Sequence, residues 1–291
     1  GLMYANHLTK VKIENCNGPI YIRNFCVDGG THNDSQVATH STAVGFEINN
    51  SNVVLENCAA MRCIEAGAEF NNSKVTLSRG FISYRNYAAS STASHTARNK
   101  QVVGAGVRAN NSVVTLDILA PREKLKDSAS FGLGIDSPMT AAFNDVGWEF
   151  NNSTLKGGRN RGKAFAASGE PGFLLTTQPN RLLYLYANNN QVGISARQSL
   201  LDTKARYTVF NNLVGIEGAN SRMLIREMTI DHNQVGVKLD NTNVVCNPDL
   251  WCVSGANLNE LTIGQFVCSS NGQHLVLNNN STMTLSLIHI S

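Results

Sequence analysis

Four glutamates recur at one position of a repeated phrase, each two residues after a glycine: Glu47, Glu69, Glu149 and Glu217. If the phrase builds stacked strands, equivalent residues lie about 4.8 Å apart from one strand to the next. Glu47 and Glu69 would then stand close to the ~5 Å at which a retaining glycosidase sets its two carboxylates. The column continues through other residue types, however, reading Glu47, Glu69, Arg108, Glu149, Ser195, Glu217, Lys238. Opposite charges adjoin at several steps, which favours a solvated ion-pair ladder in which each pair contributes about 0.5 kcal/mol. No catalytic residue is assigned on this pattern. Glu47, Glu69, Arg108, Glu149 and Glu217 nevertheless form the strongest candidate functional surface in the chain.

Other chemistry-bearing residues are more scattered. His232, in IDHNQVG, falls at a bend beside an asparagine and reads as structural, while His32, His40 and His95 sit in polar segments with no acid or nucleophile at a useful spacing. The seven cysteines, Cys16, Cys26, Cys58, Cys63, Cys246, Cys252 and Cys268, are odd in number and read mostly as buried thiols. Cys58/Cys63 and Cys246/Cys252 lack the two-residue spacing and the histidine cluster of a zinc site, so neither a metal nor a cofactor is expected. With 24 basic and 21 acidic residues and no basic cluster of the required size, nucleic acid is not an expected partner. No apolar run approaches the ~18 residues of a membrane span. A 42% hydrophobic content over 291 residues can supply a core, which excludes a disordered chain.

The elements that position these residues follow from the repeat. Asparagine is the outlier, at 36 of 291 residues, and its doublets recur in one context: GFEINNSNVVL from Gly45, GAEFNNSKVTL from Gly67, GVRANNSVVTL from Gly106 and GWEFNNSTL from Gly147. Weaker copies begin at Gly193, Gly215 and Gly236, and an inexact one runs from Leu275 to Leu285. The glycines step by 22, 39, 41, 46, 22 and 21 residues, so the unit is 21 to 22 residues and three intervals carry 17 to 24 extra.

Within a unit the apolar period is two. After Gly215, Ile216, Met223, Ile225, Met228, Ile230 and Val235 fall into three short alternating stretches, broken at Gly218 to Ser221, at Arg226/Glu227 and at Asp231 to Gln234. Three strands and three bends per unit make one coil of an all-β solenoid. Asparagine suits the bends because it tolerates a left-handed backbone and can hydrogen-bond neighbouring chain, including the equivalent bend of the next coil. A second series, Asn188 to Asn190, Asn211/Asn212, Asn233 and Asn271, marks another bend. The NxS/T sites would be glycosylation acceptors in a secreted eukaryotic protein, but recurrence at one bend explains them.

The phrases NQVGI (Asn190 to Ile194), NLVGI (Asn212 to Ile216) and NQVGV (Asn233 to Val237) resemble the right-handed parallel β-helix repeat of the pectate-lyase-like superfamily, over about Gly45 to Leu285. The resemblance implies that fold and says little of chemistry, since the superfamily includes polysaccharide lyases and hydrolases, phage tailspikes and adhesins. Its lyases use calcium-binding aspartates with an arginine or lysine base, and its hydrolases a compact aspartate cluster; no matching motif stands here. The asparagine-rich variant also looks like virion structural proteins of tailed phages.

The expectation is therefore a single β-helix domain over residues 1–285, part of a longer protein, with Ser286 to Ser291 resembling a translated sequencing adapter and set aside. One earlier coil is expected over Val11 to Val27, and exposed apolar side chains at Leu277 and Met283. Phe46, Ile48, Val53, Leu55, Phe70, Val75, Leu77, Val107, Val114, Leu116, Ile216, Met223, Ile225, Ile230, Val237 and Leu239 should be core. Tyr87 to Val103, Ala120 to Val146 and Lys156 to Asn190 are the long insertions, where a solenoid keeps its variable surface. The function expected is a structural, non-catalytic rod of a virion appendage or surface adhesin, extracellular or on the virion, facing a cell-surface glycan or receptor and assembling as a homotrimer or larger. The alternative is a polysaccharide lyase or glycoside hydrolase on the same scaffold.

Overall fold

The computed structural model describes residues 2–4, 11–29, 43–63, 65–86, 104–117, 139–157, 184–246, 266–285 and 288–290. Among these every regular element is a strand, and every strand pairing is parallel. Nine strands, Val11–Glu14, Val44–Asn49, Ala66–Asn71, Ala105–Asn110, Val146–Asn151, Val192–Arg197, Val214–Ala219, Val235–Asp240 and Gln273–Asn278, stack in chain order into one sheet. Fifteen more form a second, longer sheet against it. This is the arrangement of a parallel β-helix, with the core enclosed between stacked layers.

Alternation decides which residues line that core. All sixteen residues expected inside, from Phe46 to Leu239, are buried, together with Trp148, Phe150 and Tyr207. Trp148 satisfies its indole by donating to the Tyr186 carbonyl at 3.0 Å, and Tyr207 accepts from the Thr203 hydroxyl at 3.0 Å. Phe25, Phe46 and Phe81 stack edge to face across three layers, with centroids 6.1 Å apart at each step.

The asparagines work as expected and in more ways than one. Eighteen non-glycine residues among those described have positive φ, and twelve are asparagine, the side chain for which that conformation is least costly. In the phrase Asn-Asn-Ser each residue builds its own ladder. The first asparagine faces outward: Asn71, Asn110 and Asn151 donate to Asn49, Asn71 and Asn110 at 2.9, 2.8 and 3.0 Å. The second takes the left-handed bend, with φ of 46° to 49° at Asn50, Asn72, Asn111 and Asn152. The serine is buried: the backbone N–H groups of Ser51, Ser73, Ser112 and Ser153 donate to the hydroxyl of the next layer's serine at 3.0 to 3.1 Å.

A separate buried ladder of Asn86, Asn144, Asn190, Asn212, Asn233 and Asn271 lines the other bend. Each of the first five gives both its backbone N–H and its carboxamide N–H to the Oδ1 of the next, at 2.8 to 3.1 Å. This ladder also explains the repeat-marking glycine. A Cβ on Gly147 would stand 2.5 Å from the Gly193 carbonyl oxygen and 3.0 Å from the Asn190 amide, and the other glycines of the column are similarly confined.

Several expectations need correction. The second and third strands of a unit are not always separate: Asn52–Met61, Lys74–Tyr84, Leu200–Phe210 and Arg222–Asp231 run through the bend as single strands, with register shifts between Glu56 and Cys58 and between Thr203 and Arg206. That corner is a bulge, which needs no break in pairing. The insertions are also shorter than their sequence bounds. Met139–Ala142 and Tyr184–Asn188, assigned to insertions, are strands of the stack with Met139, Leu185 and Ala187 buried. A further long interval was hidden because His274 replaces the marker glycine: Asn233 and Asn271, 38 residues apart, are ladder neighbours. The layer expected over Val11 to Val27 is present as Val11–Glu14, Pro19–Arg23 and Cys26–Asp28. Ile288–Ile290, in the segment set aside, pairs with Phe266, Val267 and Cys268, as its alternating isoleucines permit.

Candidate functional site

The sheet register brings the charged column together. Glu47 pairs with Glu69, Glu69 with Arg108, Arg108 with Glu149, Glu149 with Ser195, Ser195 with Glu217 and Glu217 with Lys238. Layers 39 and 41 residues apart around Arg108 are thus direct neighbours in the stack. Arg108 Nε lies 2.6 Å from Glu149 Oε2, and its Nη1 3.7 Å from Glu69 Oε2. Glu217 meets Lys238 Nζ at 3.1 Å and Arg197 Nη2 at 3.9 Å.

An outward asparagine two residues on completes Glu47, Glu69 and Glu149, whereas Ala219 stands at that place after Glu217. Asn49, Asn71 and Asn151 donate to the Oε1 of Glu47, Glu69 and Glu149 at 3.1, 3.0 and 3.3 Å. Each of Asn71 and Asn151 spends its second amide hydrogen on the asparagine of the preceding layer, so both donors of its carboxamide are used. Glu47 and Glu69 are adjacent as a retaining pair would require, yet both are tied into this network. The groups around Arg108 are largely shielded, with 13 to 17% of their side chains exposed, which lifts the pairing above an ordinary surface bridge.

A second constellation escaped the sequence reading. His232 does occupy a left-handed bend, with φ of 53°, but its Nδ1 also lies 2.7 Å from Asp231 Oδ2, and the Ser269 hydroxyl donates to Asp231 Oδ1 at 2.9 Å. Burial pushes the Asp231 carboxyl up, and the hydrogen bonds from Ser269 and His232 outweigh it, holding the group below the ordinary aspartate value. The order is hydroxyl to carboxylate to imidazole, whereas nucleophilic catalysis needs the imidazole between the other two. The adjacent Asp-His pair could have been noticed in the sequence; Ser269 could not, because it lies across the hidden interval.

Elsewhere, Cys26, Cys58, Cys63 and Cys268 are buried free thiols, and Cys16 is partly exposed. Burial pushes the Cys58 and Cys63 thiols up to about 12 and that of Cys268 to about 11. Among the described residues no group of three or more His, Cys, Asp or Glu is placed to hold a metal ion, and no helix is long and apolar enough to cross a membrane. Exposed apolar groups include Phe143, in a left-handed conformation with its ring 5.3 Å from Tyr84, and Leu277 at 45% exposure; Met283 is only partly buried. His32, His40, His95 and Cys252, the first insertion, and the central parts of the other two lie outside the described residues.

No protein-family model matches the chain, and no curated protein or solved structure shows significant similarity to it.

Proposed function

We propose that this chain is a rigid, non-catalytic rod, a right-handed parallel β-helix of the pectate-lyase-like kind with a basic coil of 21 to 22 residues whose second and third strands meet at the bulged corner. In this reading it belongs to a virion appendage or a surface adhesin, outside the cell or on the virion, assembles as a homotrimer or larger, and presents its insertions to a cell-surface glycan or receptor. The observation that carries the reading is the unbroken register. Layers separated by 38 to 46 residues stack as closely as those separated by 21 or 22, so a longer interval does not loosen the stack. A scaffold with only nearest-neighbour contacts keeps its stiffness while its insertions vary, which suits a fibre. The charge-compensated column supports the same reading, because Glu69 and Glu149 flank Arg108 rather than an open cleft.

The test is to incubate the full chain with a panel of bacterial and plant polysaccharides, measuring both retention and release of new reducing or unsaturated ends, and to repeat it with Glu69→Gln and Glu149→Gln. Retention without new ends, unchanged in the variants, supports the rod. Cleavage by the native chain that disappears in either variant overturns it in favour of a hydrolase or lyase.

A further inference from the structure

The left-handed corner after the nine-stranded sheet carries an exposed row of carboxamides, one per layer, and the row is not continuous. Asn50 donates to Asn15 at 3.1 Å, and Asn152 to Asn111 and Asn241 to Asn220 at 2.7 Å each, but among the described residues no hydrogen bond joins the side chain of Asn72 or of Gln198 to either neighbour in the row, and only the Gln198 gap opens onto a hollow. The outer ladder fails in the same layer, because Arg197 stands where the preceding layers have asparagine. An open hollow of about 460 Å³ lies at this break, spanning the layers from Asn152 to Asn241.

We propose that this hollow binds an oligosaccharide lying along the rod across the Asn152, Gln198 and Asn220 layers. The proposal rests on the glycan-facing reading above and adds to it a site on the wall of the stack, apart from the insertions. Three neighbouring corners offer unused hydrogen-bonding capacity: the Asn152 Oδ1, the whole Gln198 carboxamide and the Asn220 Nδ2. A carboxamide presents donor and acceptor in one plane, which matches adjacent hydroxyls on a sugar ring, and the corners repeat at the layer spacing of about 4.8 Å. The row beside them, Thr154, Leu200 and Arg222, adds a partly buried aliphatic side chain for the C–H face of a ring and an exposed guanidinium for hydroxyl or carboxylate oxygens.

The floor is already committed. Ser153, Ser199 and Ser221 donate to carbonyls two residues back at 2.7 to 2.8 Å and accept from the backbone of the preceding layer, so they fix the corners without binding ligand. Because the corner backbone is pinned by this ladder, ordering it on binding costs little. The lining contains no carboxylate to attract a cation and one arginine, too few cations to hold a phosphodiester backbone.

The experiment is a glycan array probed with the full chain, followed by saturation-transfer NMR with the tetrasaccharides it retains. It compares the native chain with Gln198→Gly, which keeps the left-handed bend, Arg222→Ala, and Leu200→Asp. Losing hydrogen bonds or the apolar contact should weaken binding by about tenfold in each variant, with urea unfolding curves unchanged. Tetrasaccharide retained equally by all three folded variants overturns this site and leaves the glycan-facing reading standing. No glycan retained by the native chain overturns both.

Discussion

Replacing Asn190 with alanine tests whether the buried asparagine ladder, rather than strand pairing alone, holds the layers together. Asn190 Oδ1 accepts the Asn144 backbone N–H at 2.9 Å and its carboxamide N–H at 3.1 Å, and the Asn190 amide donates to the Ala141 carbonyl at 3.2 Å. Asn212 Oδ1 keeps one partner in the variant, since the Asn190 backbone still donates to it at 2.9 Å. Two buried donors of Asn144 are left unsatisfied, at roughly 1 to 3 kcal/mol each, so the loss should be about 4 kcal/mol. That is a large part of the 5 to 15 kcal/mol typical of a folded domain. The comparison is Asn151→Ala, which removes two bonds from a half-exposed side chain where water can substitute; about 0.5 kcal/mol is expected there. Urea unfolding followed by circular dichroism gives the difference, with the slopes compared because a stack of nearest-neighbour layers can lose one region before another. Hydrogen exchange at the Asn144 amide adds a local reading: protection should fall in Asn190→Ala and persist in Asn151→Ala. Equal costs for the two variants, or an Asn144 amide still protected, would refute the reasoning.

Gly147→Ala should lower stability by about 1 to 3 kcal/mol, because the new Cβ meets a backbone carbonyl at 2.5 Å, whereas Gly18→Ala, with nothing within 4 Å, should shift the thermal midpoint little. Labelling the native chain with N-ethylmaleimide at pH 8 and mapping peptides by mass should find Cys16 modified first among the described cysteines; Cys58 and Cys63, buried with thiols near 12, should react only in urea, and native labelling of Cys63 at the rate of Cys16 would contradict their burial. Asp231 has a depressed value in the folded chain, so it binds fewer protons there than when unfolded, and its contribution is present above the ordinary aspartate range and lost as pH falls through the folded value. Asp231→Asn should therefore be less stable than the native chain at pH 6 and converge with it toward pH 2; a constant gap across that range would show that the carboxylate's charge is not what matters.

Much of this fold could be read from the sequence because its signals repeat. The period of two placed Phe46, Ile48, Val53 and Leu55 inside, and repetition of the same phrase corrected any error of register in one copy by the others. The charged column was legible for the same reason: position in the phrase is position in the sheet. What repetition could not give was the division of labour inside Asn-Asn-Ser. All three residues favour bends, and only the stacked geometry separates an outward ladder, a left-handed corner and a buried hydroxyl. Sites that break the repeat were invisible on the same grounds. His274 hid an interval by replacing a glycine, and Gln198, an amide like its neighbours, gave no hint that its carboxamide stands unbonded in the row.

The distribution of ladders also explains where the stack accommodates extra chain. Extra residues enter the sequence between paired strands in two places: after the buried asparagine corner, as between Asn86 and Gly104, and at the bulged corner, as between Asp117 and Met139, Gly157 and Tyr184, and Cys246 and Phe266. In none of the nine layers does this happen at the Asn-Asn-Ser corner or its equivalents, from Asn15 to Asn279. There, the hydroxyl ladder from Ser51 to Ser281 is unbroken, each hydroxyl accepting the backbone N–H of the layer before it, so an added residue would put every subsequent partner out of line. The bulged corner has no comparable ladder over most of its length; Asn24 and Asn57 form its one amide pair among the described residues, at 2.7 Å. Chain can be added there at the cost of loop closure, which grows slowly with length. The Asn-Asn-Ser corner is therefore fixed, varying only by substitution, whereas the bulged corner and the stretch that follows the buried asparagine ladder vary by insertion. The ligand site proposed at Gln198 fits that division, since it needs only a side chain that leaves hydrogen-bonding capacity on its neighbours without moving the backbone.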